Sequence, residues 1–291
     1  MAVVPSWLRR ACCAQDRPAE SMGLLEHSGA HHPQSLAEEV VRGPVVAALW
    51  RPGGRGAAEA RDEVAMEGGA KYEGQWLGKL RHGHGSLVWP DGQRYDGDFS
   101  LGTAQGVGRL QTAAGSIYEG QWEADRAHGR GRFTHVDGSV YDGEWRFDEK
   151  SGRGMETWPD GTKYIGDFSH GGKHGCGVYL MGERVMYEGD FRNDKMDGEG
   201  CYKFADGRSY RGQWKAGHMH GRGWMQWPNG ASYVGDFDSD MKHGDGTFTW
   251  SDGRVYIGGW VRGHMHGQGT LRDNFGIETQ GEWSEGKLVS K

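Results

Sequence analysis

The sequence predicts an all-β fold, an elongated, twisted, single-layer antiparallel meander of stacked β-hairpins. A pentad of the form Tyr-x-Gly-x-Trp or Phe begins at Tyr72, Tyr95 and Tyr118. Copies of the pentad continue at this same spacing between starting residues, without insertion, as far as Thr279. Within each pentad, large and polar residues alternate with the period of two that is typical of a strand. Turn sequences such as Pro-Asp-Gly precede most pentads. A fixed period of this kind indicates a tandem array of one structural unit.

Each repeat is predicted to form one hairpin. In the first repeat, the pentad from Tyr72 to Trp76 is a strand with its aromatic residues and its glycine on one face. A short loop leads into a second strand that carries Gly83 and Gly85 on that same face, and Pro-Asp-Gly at 90–92 closes a tight turn. Glycines inside strands mark close approach of another group. We therefore expect aromatic rings from the adjacent strand to lie over these glycines.

The opposite face of the hairpins is predicted to be solvated and ion-paired. Acidic residues lie on first strands and arginines on second strands, so that opposite charges face each other across the ladder. Examples are Asp96, Asp98, Asp142 and Glu144 on first strands, and Arg109, Arg130, Arg132 and Arg153 on second strands.

Composition and charge exclude several classes of protein. The 13 tryptophans argue against disorder in the array, although the chain has 53 glycines. The net charge is −6, of which −5 falls on the array, so a role as a non-specific nucleic-acid binder is not expected. No stretch of about 18 apolar residues occurs, and no membrane-spanning helix is predicted.

Two regions are predicted along the chain. Residues 1–66 lack the repeat and are expected to be mostly disordered, with a short helix at "SLAEEVVRG" capped by Ser35 and a linker at "RPGGRG". Residues 67–291 form the array, counted as ten units of which the last is truncated. Glu183 and Arg184 replace the usual turn residues, and an irregular turn is predicted there.

The cysteines indicate a reducing, intracellular compartment. The chain has four, without the framework of a disulfide-rich protein, and we expect a cytoplasmic location. Two interpretations of the adjacent Cys12 and Cys13 stay open. They lie close to Arg9 and Arg10, as at an S-acylation site, but an unmodified tail is the favoured alternative.

The pattern "YEGQW…HGHG…WPDG" resembles the MORN repeat, and its copies cover residues 72–283. The resemblance implies a long, twisted sheet of hairpins that acts as an interaction module and not as an enzyme. The resemblance also extends to membrane-junction proteins and to the regulatory segments of phosphatidylinositol phosphate kinases, which contain the same repeat.

The sequence predicts none of three kinds of chemical site. One histidine recurs before the glycine pair, but adjacent copies are predicted to lie about 10 Å apart, too far to share a metal. The glycine pairs lack the third glycine of a dinucleotide loop and lead into strands. Carboxylates recur in every unit without one distinctive constellation, so no catalytic residue, metal or cofactor is predicted. The recurring histidines are His82, His128, His174, His220, His243 and His266.

The aromatic residues just before the turns are the candidate partner-binding residues. They share the face of the tyrosines, and a single sheet has no second layer to cover that face. We expect part of this face to form an apolar groove for a peptide or a helix. The candidates are Trp89, Trp158, Phe204, Trp227 and Trp250.

Two functions follow as hypotheses. The first is a non-catalytic scaffold that binds a protein partner and tethers it to cytoskeleton, cilium or membrane. The alternative is a phosphoinositide- or membrane-binding module, or a regulatory array like those of the kinases above. An anionic membrane surface favours contiguous Lys and Arg, whereas this array is acidic with interleaved arginines, so charge favours the protein partner. No small-molecule substrate is predicted.

Overall fold

The computed structural model describes residues 58–291 and divides into two compact units, the first ending at Pro159 and the second beginning at Asp160. Within the described residues, the regular structure is β-strand apart from a short 3-10 helix, Glu67–Gly69. The predicted all-β antiparallel meander is confirmed. The helix predicted at 35–43, the linker, and Cys12 and Cys13 lie outside the described residues.

The first unit contains nine strands, each paired antiparallel with the next along the chain. They are β1 (Glu59–Ala65), β2 (Lys71–Leu77), β3 (Leu80–Val88), β4 (Arg94–Ser100), β5 (Thr103–Gln111), β6 (Ile117–Glu123), β7 (Arg126–Thr134), β8 (Val140–Arg146) and β9 (Glu149–Thr157). The sheet begins before the predicted boundary at residue 67, because β1 pairs with β2 from Glu59↔Trp76 to Ala65↔Lys71.

The second unit continues the same pattern over twelve strands. They are β10 (Thr162–Ser169), β11 (Gly172–Met181), β12 (Arg184–Arg192), β13 (Lys195–Lys203), β14 (Ser209–Lys215), β15 (His218–Gln226), β16 (Ser232–Asp238), β17 (Met241–Thr249), β18 (Val255–Val261), β19 (His264–Arg272), β20 (Glu278–Ser284) and β21 (Lys287–Ser290). The truncated last repeat therefore still forms a hairpin, with "KLVS" as its closing strand.

Two kinds of turn alternate along the meander. The turn inside a repeat is a two-residue loop, and at Ala124 and Asp125 both φ angles are positive, 48° and 65°, as a type I′ hairpin requires. The turn between repeats is longer: the amide of Trp89 donates to the carbonyl of Gln93 at 2.8 Å, and the Asp91 carboxylate accepts from the amide of Gln93 at 2.9 Å. Asp in the Pro-Asp-Gly turn is thus selected by a side-chain-to-backbone bond.

The turn before β12 differs from the others, as the sequence predicted. Strand β11 extends to Met181 and β12 starts at Arg184, so only Gly182 and Glu183 connect them. The pairing shifts register between Tyr179 and Leu180. The loss of the turn Asp-Gly therefore gives a shorter loop and longer strands.

An aromatic ladder forms the core of each unit. The ring of Tyr72 meets those of Trp76, in its own strand, and Phe99, in the next repeat, at 5.1 Å and near-perpendicular angles. The same edge-to-face alternation runs on through each unit, a geometry that adds to the burial of the rings. The pentad tyrosines from Tyr72 to Tyr256 are almost entirely buried. In each unit, we call the side that carries them the tyrosine face.

The two glycines of each second strand have different roles. A Cβ on Gly85 would lie 2.6 Å from the Cε2 atom of Tyr72, so the predicted ring over glycine is confirmed. Gly83, which the sequence placed on the same face, lies instead in a β-bulge with a φ of +65°. The side chain of Gln75 covers this bulge and accepts a hydrogen bond from the amide of His84 at 2.9 Å.

On the opposite face the predicted charge pairing is present in part. Arg109 pairs with Glu119 at 3.2 Å, and Arg132 approaches Asp142 at 3.8 Å. Asp98 has a further role, because its carboxylate accepts from the amide of Val107 at the bulge, 3.3 Å away. These ion pairs are exposed, and each contributes little to stability.

Candidate functional site

The first unit carries a groove of about 420 Å³ on its tyrosine face. Rings of the ladder lie beneath it, and Leu87, Trp89 and Leu110 line its side. Arg81 and Asp125 add charge at its margin, with the Arg81 guanidinium 5.1 Å from the centre of the Phe99 ring. The lining of the groove therefore combines aromatic and aliphatic side chains with charged ones.

The second unit carries an aromatic cluster on its own tyrosine face. Phe248 lies 5.5 Å from Trp227 and 4.8 Å from Trp250 between ring centroids, and 6.1 Å from the ladder residue Trp260. The turn geometry holds the two outer tryptophans, since the amide of each donates to the carbonyl four residues later at 2.9 Å. The side chain of Lys242 lies among the inner rings. We call these five residues, Trp227, Lys242, Phe248, Trp250 and Trp260, the aromatic cluster.

The structure brings together two of the five predicted partner-binding residues. Trp227 and Trp250 meet at Phe248, and Trp89 lines the groove of the first unit. Phe204 packs instead against Tyr202 at 4.7 Å, with the Arg208 guanidinium over its ring. Trp158 is half-buried just after β9. Whether any of the five binds a partner stays a prediction.

Lys242 is the residue that sequence analysis missed. Its Nζ lies 4.1 Å from the centroid of Trp260, 4.4 Å from Phe248 and 5.7 Å from Tyr233. Burial lowers its pKa to about 8. A comparison of the repeat copies would have pointed to it, because Lys242 stands at a strand position where the neighbouring copies carry Met219 and Met265.

The ladder tyrosines use their hydroxyls internally. The hydroxyl of Tyr233 donates to the carbonyl of Asp236 at 2.9 Å, and that of Tyr210 donates to Gln213 at the same distance. Burial raises the pKa of both tyrosines, so both remain protonated donors at neutral pH. The ladder is therefore a structural core, and the rings beside it are half-buried.

Within residues 58–291, no group of three or more His, Cys, Asp or Glu side chains is placed to hold a metal ion. In the same range no helix has the length and apolar character needed to cross a membrane.

The family of the chain follows from its repeats. The MORN repeat model matches nine consecutive segments: 72–94, 95–117, 118–140, 141–163, 164–181, 187–207, 210–232, 233–253 and 256–274. The chain belongs to the MORN-repeat family. MORN arrays are repeat modules that are generally non-catalytic, and the matched segments coincide with the hairpins of both units.

Two solved structures are similar to this MORN array in part. The TCP10 domain of Danio rerio CPAP is 12% identical, with 76% of this chain and 99% of that chain covered and a TM-score of 0.39. The TCP domain of Drosophila melanogaster SAS-4 (dCPAP), in complex with a proline-rich motif of Ana2 (dSTIL), is 13% identical, with 81% and 99% covered and a TM-score of 0.23. These scores are too low to transfer a function. No curated protein sequence matches the chain.

Proposed function

We propose that this MORN array is a non-catalytic scaffold that holds a protein segment against its tyrosine face. The proposed contacts are the aromatic cluster of the second unit, with Trp227 and Trp250 as anchors, and the groove beside Trp89 in the first. The partner is a peptide or a helix, since both fit a narrow apolar surface. We place the complex in the cytoplasm, where the partner would link it to cytoskeleton, cilium or membrane.

The observation that carries the proposal is the position of Trp227, Phe248 and Trp250. All three are half-buried beside the fully buried ladder, and residues 58–291 contribute no second layer above them. Tryptophans in such positions are the residues that most often dominate protein interfaces. The ladder itself supplies a rigid base, so little conformational freedom would be lost on binding.

The charge distribution favours a protein partner over an anionic membrane. Arginines on the opposite face stand beside acids, as Arg222 does at 3.6 Å from Asp236 and Arg109 at 3.2 Å from Glu119. A phosphoinositide surface is recognised by a contiguous basic face, and interleaved pairs weaken that attraction. The membrane alternative therefore has no specific support among the described residues.

Affinity purification with the full chain as bait tests the proposal. We expect proteins captured by the wild type to be lost from a bait carrying Trp227→Ala and Trp250→Ala, and to be kept by one carrying Trp224→Ala and Ile257→Ala. The second pair is also apolar but lies on the opposite face, where Trp224 and Ile257 alternate with buried residues. Capture that depends on the second pair and not on the first would refute the proposed surface.

A further inference from the structure

Lys242 is a half-buried cation surrounded by aromatic rings. It lies on β17 opposite Phe237, and its Nζ is 4.1 Å from the ring centre of Trp260, 4.4 Å from that of Phe248 and 5.7 Å from that of Tyr233. Within residues 58–291, Lys242 forms no ion pair with a carboxylate. Its neighbour Arg254, over the ring of Trp250, is already paired with Asp252 at 2.8 Å.

The other two lysines at this repeat position have acidic partners. Lys150 pairs with Glu156, near the end of the same strand. Lys173 approaches Asp194, in the short loop of the next repeat, at 3.6 Å. The repeat therefore offers two places for a counter-ion. In the repeat of Lys242 both are lost, because Phe248 replaces the first acid and Gly263 the second.

This arrangement leaves a charge without compensation. Taking an ammonium group out of water is costly unless it is paired. The three rings supply part of the missing interaction, since a cation over an aromatic face is attracted to it. Burial lowers the pKa of Lys242 to about 8, so the amine still carries its proton at neutral pH. A carboxylate brought from outside would complete the site.

We propose that Lys242 binds an Asp or Glu side chain of the partner segment, while Trp227, Phe248 and Trp250 hold the apolar residues next to that acid. This inference rests on the proposed function and specifies the partner as a protein segment with one carboxylate flanked by apolar residues. The ammonium group donates hydrogen bonds to the carboxylate, and no covalent step is involved. Charge-assisted bonds of this kind give a binding site its register.

The repeat itself supplies a variant that would occupy this site from within. Gly263 has a φ of +84°, and a Cβ added there would meet no atom within 4 Å. Asp194 adopts a φ of +66° at the equivalent position and contacts Lys173. Gly263→Asp should therefore place an internal carboxylate beside Lys242, in a backbone conformation that Asp194 already adopts. Gly286→Asp is the control at the same turn position: its amide donates to the carbonyl of Met265, and a Cβ there would lie 3.9 Å from Nδ1 of His264, so the new carboxylate has a histidine beside it and not Lys242.

The test is a display selection of random peptides against the full chain. Peptides that bind the wild type are synthesised, and their affinities are measured for each variant. We expect the selected peptides to share an Asp or Glu beside apolar residues, and replacement of that acid by Asn or Gln to weaken binding about tenfold or more. Gly263→Asp and Lys242→Met should cause a similar loss, and Gly286→Asp should cause none. Thermal melts check that each variant is folded.

The outcomes separate this inference from the proposed function. Peptides that require Trp227 and Trp250 but bind Gly263→Asp and Lys242→Met as tightly as the wild type would overturn the role of Lys242 alone. Peptides whose affinity does not change when Trp227 and Trp250 are replaced, or a selection that yields no binding peptide, would overturn both the role of Lys242 and the proposed function. Binding to vesicles that contain phosphatidylserine is measured as well. If the chain binds vesicles in a Lys242-dependent way and does not bind peptides, the site is assigned to a lipid instead.

Discussion

Asp240 and Met219 are joined by two reciprocal hydrogen bonds across successive hairpins. The Asp240 carboxylate accepts from the amide of Met219 at 2.8 Å, and the amide of Asp240 donates to the carbonyl of Met219 at 3.1 Å. Asp125 and Ala104 repeat this pair at 2.7 and 3.1 Å. The Asp in the short loop thus locks one repeat onto the previous one, a role that the period alone did not reveal.

Replacing Asp240 by glycine tests the value of this link. Glycine keeps the positive φ of 68°, so the change removes the carboxylate without adding strain. We expect a loss of about 1 kcal/mol in the free energy of unfolding, measured by urea denaturation. Asp240→Asn retains the acceptor and should stay close to wild type. Equal losses for the two variants would assign the effect to the charge beside His218, 2.7 Å from Asp240.

Adding the link where it is missing should stabilise the array. In Gly263→Asp the new carboxylate can accept from the amide of Lys242, as Asp194 accepts from the amide of Lys173 at 2.9 Å. We expect an increase of up to about 1 kcal/mol in the free energy of unfolding, because the new bond must outweigh the strain of a side chain at a φ of +84°. Differential scanning calorimetry measures it, and a destabilised Gly263→Asp would refute the equivalence of the two positions.

The contact between ring and glycine can be tested with the smallest possible change. A Cβ on Gly131 would lie 2.6 Å from Cε2 of Tyr118, so Gly131→Ala must displace the ring or the strand. We expect it to destabilise the array by about 1–3 kcal/mol. Arg132→Ala, on the next residue, removes only an exposed ion pair and should cost less than about 1 kcal/mol. Equal shifts in melting temperature would contradict the packing described here.

The pKa of Lys242 predicts a pH dependence. Folding lowers this pKa from 10.5 to about 8, so between these values the unfolded chain holds a proton that the folded chain has released. Stability then rises with pH through that window, because the cost of burying the charge disappears. Relative to Lys242→Met, the wild type should gain up to about 2–3 kcal/mol between about pH 7 and about pH 10, and less to the extent that water reaches the half-buried amine. A constant difference between the two proteins would show that the amine is fully solvated.

The repeat pattern predicted the parts of the fold that depend on alternation. Tyr72, Gly85 and Trp76 lie where a period of two and the need for ring packing place them. The bulge at Gly83 was not predicted, because alternation assumes unbroken pairing, while a glycine with positive φ inserts an extra residue. Strand β1 was also missed, since it has no pentad and joins the sheet through backbone bonds to the open edge of β2.

The candidate site was predictable only in outline. Trp227 and Trp250 were predicted as partner-binding residues because their repeat position is apolar and precedes a turn, and that role stays a prediction. Lys242 was not predicted, because the repeat pattern shows only what the copies share, whereas Lys242 stands where the neighbouring copies have Met219 and Met265. Its lack of a counter-ion depends on Phe248, further along the same strand, and on Gly263, in a turn that comes near Lys242 only in the folded sheet.

The central claim is that the ladder gives stability and the half-buried rings beside it give binding. It is tested most directly by measuring, on one pair of variants, both the affinity for a partner obtained by affinity purification and the thermal melt. For Trp227→Ala with Trp250→Ala, we predict a binding loss of about 2 kcal/mol or more and a retained cooperative melt. Trp224→Ala with Ile257→Ala should bind as the wild type does. Binding lost from the opposite-face pair and kept by the tryptophan pair would contradict the account.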